Sequence, residues 1–163
     1  MSTYGLQQEM KIPRISARGG LIPSGAWHVA ISAIANADRS RILQALTVPE
    51  YMEAWLCLPG DPKHPTSASR TANGYRIQRS GPCGLDVDIA GSYLTFRRTK
   101  VLFTWQDNTC EGRPMSLVLI RLYGEFARTR VCLYHVGLPS AEERAWYLKM
   151  WGASLERLSA LFK

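Results

Sequence analysis

Three histidines and four cysteines are the first residues to weigh for chemistry. His135 stands in an apolar, strand-like run from Val131 to Val136, where an imidazole could take or give a proton. Tyr93 or Tyr123 could then donate to a developing oxyanion. A histidine at a strand end also serves as a hydrogen-bonded structural residue, and that simpler reading ranks higher. Ser154 has no evident base, and no G-x-S-x-G motif is present. Cys57, Cys83, Cys110 and Cys132 are widely spaced without a C-x-x-C, and His28 and His64 lie far from His135. Zinc sites ordinarily show close ligand pairs, so no metal is expected, and no cofactor. The sequence leans away from an enzyme.

The elements that would position these residues come from a chain of 163 residues with 20 Lys and Arg against 13 Asp and Glu. That length suits one domain with a sizeable core. Basic residues gather at Arg97, Arg98 and Lys100 and at Arg121, Arg128 and Arg130, but form no dense stripe with interleaved aromatics. Nucleic acid is therefore not expected as a partner. No run of about 18 apolar residues exists, so no helical membrane span is expected. Widely spaced cysteines and an N-terminus without secretory order read as a cytoplasmic protein. Residues 1–25, with Gly5, Pro13, Gly19, Gly20 and Pro23, read as a flexible basic tail without apolar period.

From residue 26 onward a single domain is expected. Trp27 to Ile34 reads as a first strand. Asn36 or Asp38 can cap a helix bearing Ile42, Leu43 and Leu46, and a second short helix starts near Pro49. Leu56 to Ala72, rich in proline and glycine, reads as a loop. Strand signals then repeat at Tyr75–Arg79, Leu85–Phe96, Val101–Trp105, Met115–Tyr123 and Thr129–Val136. Asp86 and Asp88 alternate with apolar neighbours and so face outward. Ser140 and Glu143 have capping-box spacing. They open a helix to about Leu161 whose stripe is Tyr147, Trp151, Ser154, Leu155, Leu158, Leu161 and Phe162. The spacing predicts an α+β domain, a curved antiparallel sheet of six or seven strands wrapped around a long C-terminal helix.

This order resembles the heat-shock protein 90 ATPase activator homologue-like family, in the START-related, helix-grip (SRPBCC) superfamily typified by the birch pollen allergen. Thr47-Val48-Pro49-Glu50 with Trp55, Gly74-Tyr75-Arg76, Gly91-Ser92-Tyr93 and Leu102-Phe103-Thr104-Trp105 are similar to its motifs. So are Thr129 to Leu138 and the spacing of Trp151, Leu155 and Leu158. Met150 and Gly152 flank Trp151 in place of the family's preceding glycine, and no proline precedes the Leu-Phe-Thr-Trp strand.

The resemblance implies a fold that holds apolar small molecules between sheet and helix. Strand alternation and helix face select the inward set. From the sheet it is Val87, Ile89, Tyr93, Phe103, Trp105, Val118, Ile120, Leu122, Val131, Leu133 and His135. From the helix it is Tyr147, Trp151 and Leu155. Mostly apolar walls with a few polar tips suit a hydrophobic or aromatic ligand. The alternatives are an enzyme of the aromatase/cyclase type acting in the same cavity, and a chaperone-partner module. The last ranks lowest, because the activators that name the family carry a further N-terminal domain.

Overall fold

A computed structural model of the protein describes residues 27–58, 65–109 and 111–163. The first strand, β1 (Trp27–Ala35), gives way to α1 (Arg39–Thr47), and Asp38 is the cap, its side chain accepting from the Arg41 amide at 2.9 Å. Such a bond satisfies one of the amides a helix start leaves unpaired. Pro49 opens α2 (Pro49–Trp55), where its fixed φ suits the first turn. The Trp55 indole donates to the Ala45 carbonyl at 2.7 Å and ties the two short helices together.

The meander follows as β2 (Ser67–Arg70), β3 (Gly74–Gly81), β4 (Gly84–Arg97), β5 (Lys100–Asp107), β6 (Ser116–Glu125) and β7 (Arg128–Leu138). The seven strands form one antiparallel sheet in the order β1-β7-β6-β5-β4-β3-β2. Ser67–Arg70 corrects the expectation of a continuous loop from Leu56 to Ala72. These four polar and small residues carry no apolar alternation; pairing with β3 makes them a strand. Register shifts at Trp27/His28, Arg79/Ser80 and Tyr93/Thr95 bend the sheet. Its concave face receives α3 (Ala141–Ala160), capped by Ser140 Oγ, which accepts from the Glu143 amide at 3.1 Å. The helix-grip fold is thereby complete.

The helix buries Tyr147, Met150, Trp151, Ser154, Leu155 and Leu158. Met150 lies outside the stripe expected from the sequence and is buried, whereas Leu161, the C-cap residue, is exposed. Polar ties fix the helix in place. Arg144 Nε donates to the His28 carbonyl at 2.8 Å, and Ser159 Oγ to the Ile34 carbonyl at 3.1 Å. Ser154 Oγ accepts from the Cys57 amide at 2.9 Å and donates to the Met150 carbonyl. Asp86 and Asp88 pair with Arg79 and Arg76 rather than reaching the interior. Among the described residues no helix is long and apolar enough to cross a membrane.

Two glycines have a steric reason. The buried Tyr75 ring passes over Gly91, its register partner, and its hydroxyl donates to the Thr104 carbonyl at 2.8 Å. A Cβ on Gly91 would collide with the Tyr75 ring and the Thr104 carbonyl, and one on Gly74 with the Gly91 carbonyl. Gly91→Ala should therefore break the Tyr75–Thr104 bond. It should destabilise the domain by about 1–3 kcal/mol, the range of an overpacked core. Urea unfolding measures this, with Ala90→Gly as the companion. Equal midpoints for Gly91→Ala and the parent chain would refute the steric reading.

Candidate functional site

The fourteen side chains selected from the sequence share one face of the structure. β4 supplies Val87, Ile89 and the half-buried Tyr93, and β5 supplies Phe103 and Trp105. β6 carries Val118, Ile120 and Leu122; β7 carries Val131, Leu133 and His135. Tyr147, Trp151 and Leu155 descend on them from α3. Strand alternation explains the placement, since every second residue turns toward the helix.

These side chains meet one another and fill the space between sheet and helix. Val118, Val131, Leu133 and His135 have no exposed surface. An aromatic seam runs through the interior: Tyr93 to Tyr75 at 5.8 Å, Tyr75 to Phe103 at 5.5 Å, Tyr75 to Trp105 at 6.3 Å and Trp105 to Trp151 at 5.1 Å between ring centroids. Most of these contacts are tilted or edge-on, the geometry that ring quadrupoles favour.

At the end of the seam lies a buried polar relay. The Trp151 indole sits 3.0 Å from His135 Nδ1. An indole N–H can only donate, so Nδ1 must accept and the proton of the neutral ring is on Nε2. Nε2 in turn donates to Ser116 Oγ at 2.7 Å, and Ser116 donates to the Trp105 carbonyl at 3.3 Å. Every donor has an acceptor, and His135 has no site left for a second proton. Burial pushes its pKa down to about 3. An imidazole so held is neutral at physiological pH and already engaged on both nitrogens. The structural reading of His135 therefore prevails over the acid–base one. Tyr123, the other proposed oxyanion donor, is exposed, and its neighbours in β6 alone turn inward.

Beside the relay an open cleft reaches the surface, lined by Trp105, Asp107, Arg113, Ser116, Glu143 and Tyr147 among others. Its volume is about 10 Å³, room for one water molecule. Arg113 spans it, 2.6 Å from Asp107 and 3.4 Å from Glu143. The Tyr147 hydroxyl accepts from the Trp105 indole at 3.2 Å. Its own proton has no acceptor among the described residues. Burial raises the Tyr147 pKa to about 12, so the group remains a donor facing the cleft.

Sequence reasoning passed over Ser116 and Tyr75. Extending the alternation of Val118, Ile120 and Leu122 by one step back would have reached Ser116. Tyr75 precedes the inward Ile77 by the same two-residue step. Arg113 and Glu143 had no signal, because they come from a connection and a helix start that only the fold brings together. Among the described residues no group of three His, Cys, Asp or Glu side chains is placed to hold a metal ion.

Fold and interior together define a helix-grip protein with a closed aromatic core. The chain belongs to the family of activator of Hsp90 ATPase homolog 1-like proteins, whose model matches residues 36–163. Similar folds include the protein CV1439 from Chromobacterium violaceum (TM-score 0.69, 18% identity, 83% of this chain and 96% of that one). MLL2253 from Mesorhizobium loti gives a TM-score of 0.65 at 18% identity, over 83% of this chain and 96% of that one. CalU16 from Micromonospora echinospora gives 0.61 at 19% identity, over 83% and 74%. A comparison with the curated proteins finds no match.

The relay makes stability depend on pH with a definite sign. An unfolded histidine titrates near 6.5, whereas burial holds His135 at about 3. The unfolded chain takes up a proton that the folded chain refuses. This contribution is complete above pH 6.5 and is lost as the pH falls toward 3, by on the order of 5 kcal/mol across the window. Nitrogen NMR of the folded chain should find His135 neutral and protonated on Nε2 from pH 8 down to 5. A titration midpoint near 6.5 would contradict the relay.

Proposed function

We propose that this protein binds a hydrophobic or aromatic small molecule between the sheet and α3, admitted through the cleft at Trp105 and Tyr147. The observation that carries this reading is the Tyr147 hydroxyl. It lines an open cleft, as a donor without an acceptor among the described residues, beside the aromatic seam. A ring would stack against the faces and edges of Trp105, Tyr147 and Trp151, and an acceptor on that ring would take the Tyr147 proton. The interior is closed, so uptake requires these three side chains to part. Among the described residues no free base stands beside the donor, which favours binding over turnover: His135 is committed to the relay, and Asp107 and Glu143 are engaged by Arg113.

Titration of the full chain with a panel of phenols, naphthols and polycyclic ketones tests this. A ligand should shift or quench the indole emission, because Trp105 and Trp151 lie in its path, and should raise the melting temperature. Tyr147→Phe keeps the ring and removes the donor. It should weaken a ligand bearing an acceptor about tenfold, the worth of one hydrogen bond, and leave a plain hydrocarbon unaffected. Trp151→Ala should destabilise the fold by ~3–5 kcal/mol, and Trp151→Phe by much less. A panel that moves neither emission nor melting temperature would end the binding reading.

A further inference from the structure

The β4–β5 and β6–β7 turns leave the same end of the sheet, and the surface there is basic. Registers set Arg97 opposite Lys100, and Lys100 opposite Arg121. Lys100 and Arg121 alternate with the inward Val101, Ile120 and Leu122, so they lie on the face away from α3. The next row on that face is Tyr123–Arg130–Ile34. Arg98 stands in the first turn, and Arg128 opens β7 after the second. Like charges directly opposite each other in a sheet are destabilising, yet two such pairs meet at Lys100. Among the described residues no carboxylate forms an ion pair with Arg97, Arg98, Lys100, Arg121 or Arg128. The ion pairs of Asp86, Asp88, Asp107 and Glu143 lie toward the other end of the strands, where β4 begins and β5 ends. Charges are therefore paired at one end of the sheet, while at the other these five cations stand without a carboxylate.

Apolar side chains project from the same end. Phe126 is fully exposed, and Ile34 and Tyr123 are half exposed. Past Arg121, β6 continues to Glu125, so the β6–β7 turn stands roughly 14 Å beyond Lys100 at ordinary strand rise. Only Phe126 and Ala127 separate the paired Glu125 and Arg128. A two-residue hairpin loop takes a positive φ at its first position, where glycine is favoured. Phe126 holds that position at φ 55°, which is unfavourable for a bulky side chain. Its ring gains nothing by burial in the domain that would offset this.

We propose that this end of the sheet docks on an anionic lipid bilayer, with its cations over the headgroups and Phe126 inserted among them. A projecting apolar tip backed by cations is complementary to a surface that is negative outside and apolar within. A site for single-stranded nucleic acid tracks the backbone along a basic groove, with aromatic rings as stacking platforms in it. Here the ring stands past the cations, on the tip of a hairpin. The tail expected at residues 1–25 lies outside the described residues, and none of these cations belongs to it. The cleft at Trp105 and Tyr147 opens at the opposite end of the strands, so docking leaves it facing water.

Sedimentation of the full chain with vesicles tests this. The chain should bind vesicles of phosphatidylcholine mixed with phosphatidylserine and leave phosphatidylcholine alone unbound, and added salt should weaken the binding. Phe126→Gly relieves the turn and removes the ring. It should keep or raise the melting temperature and weaken vesicle binding about tenfold. Replacing Arg97, Arg98 and Lys100 together by glutamine should weaken it about a hundredfold, whereas Lys149→Gln, on the exposed side of α3, should change it little. Should the triple variant not fold, Arg98→Gln combined with Arg128→Gln takes its place, with a loss of at least tenfold expected. Binding that is absent, equal on the two kinds of vesicle, or indifferent to Phe126→Gly or to the charge variants in folded chains overturns the proposal. A chain that ignores vesicles but binds single-stranded RNA or polyglutamate through the same residues assigns the surface to another polyanion and also overturns it.

Discussion

A desolvated imidazole holds this architecture in register. His135 is fully buried between α3 and the sheet, and one protonation state alone fits its neighbours. Trp151 reaches it from the helix and Ser116 from β6, so a single ring specifies how the helix sits on two strands. The interaction is exacting because it is buried: a lost partner would leave a polar atom unsatisfied in an apolar interior. A wetter site would tolerate a shifted helix, since water would replace any missing partner. The grip of sheet on helix is thus set by hydrogen bonds and not by apolar packing alone.

Around that point the aromatic residues act as a continuous lining. Tyr75 crosses over Gly91 to bond the Thr104 carbonyl, which brings β3, β4 and β5 into one curved wall. The segments Gly74-Tyr75 and Gly91-Ser92-Tyr93 that suggest the family are therefore steric necessities. Each glycine vacates the space that a neighbouring ring or backbone occupies. The same wall leaves little free volume, and a water-sized cleft lies at the rim, where Tyr147 and Trp105 share one hydrogen bond.

The elements were legible because each rests on a local rule. Alternation places Val87, Ile89, Phe103 and the rest of the inward set on one face, and this follows from the period of a strand. Ser140 and Glu143 mark the start of α3, as Asp38 marks α1, because caps answer amides only three residues away. The stripe of α3 was legible through Leu158 and failed at Leu161, which caps the helix C-terminus and is exposed.

Tertiary structure decided what depends on distant partners. Ser67–Arg70 becomes a strand only because β3 lies beside it. No local pattern says that Ser116 will meet His135, nineteen residues away, or that Arg113 will bridge Asp107 and Glu143. The proton affinity of His135 was equally hidden: its residue type permits acid–base work, and burial beside an indole N–H removes it. Sequence by itself determined the family, the element order and which residues turn inward, because periodicity is a property of the local backbone. Whether an inward residue is a reactive group, a structural bond or the wall of a cleft depends on dehydration and on partners brought from elsewhere, and those exist only after the chain has folded.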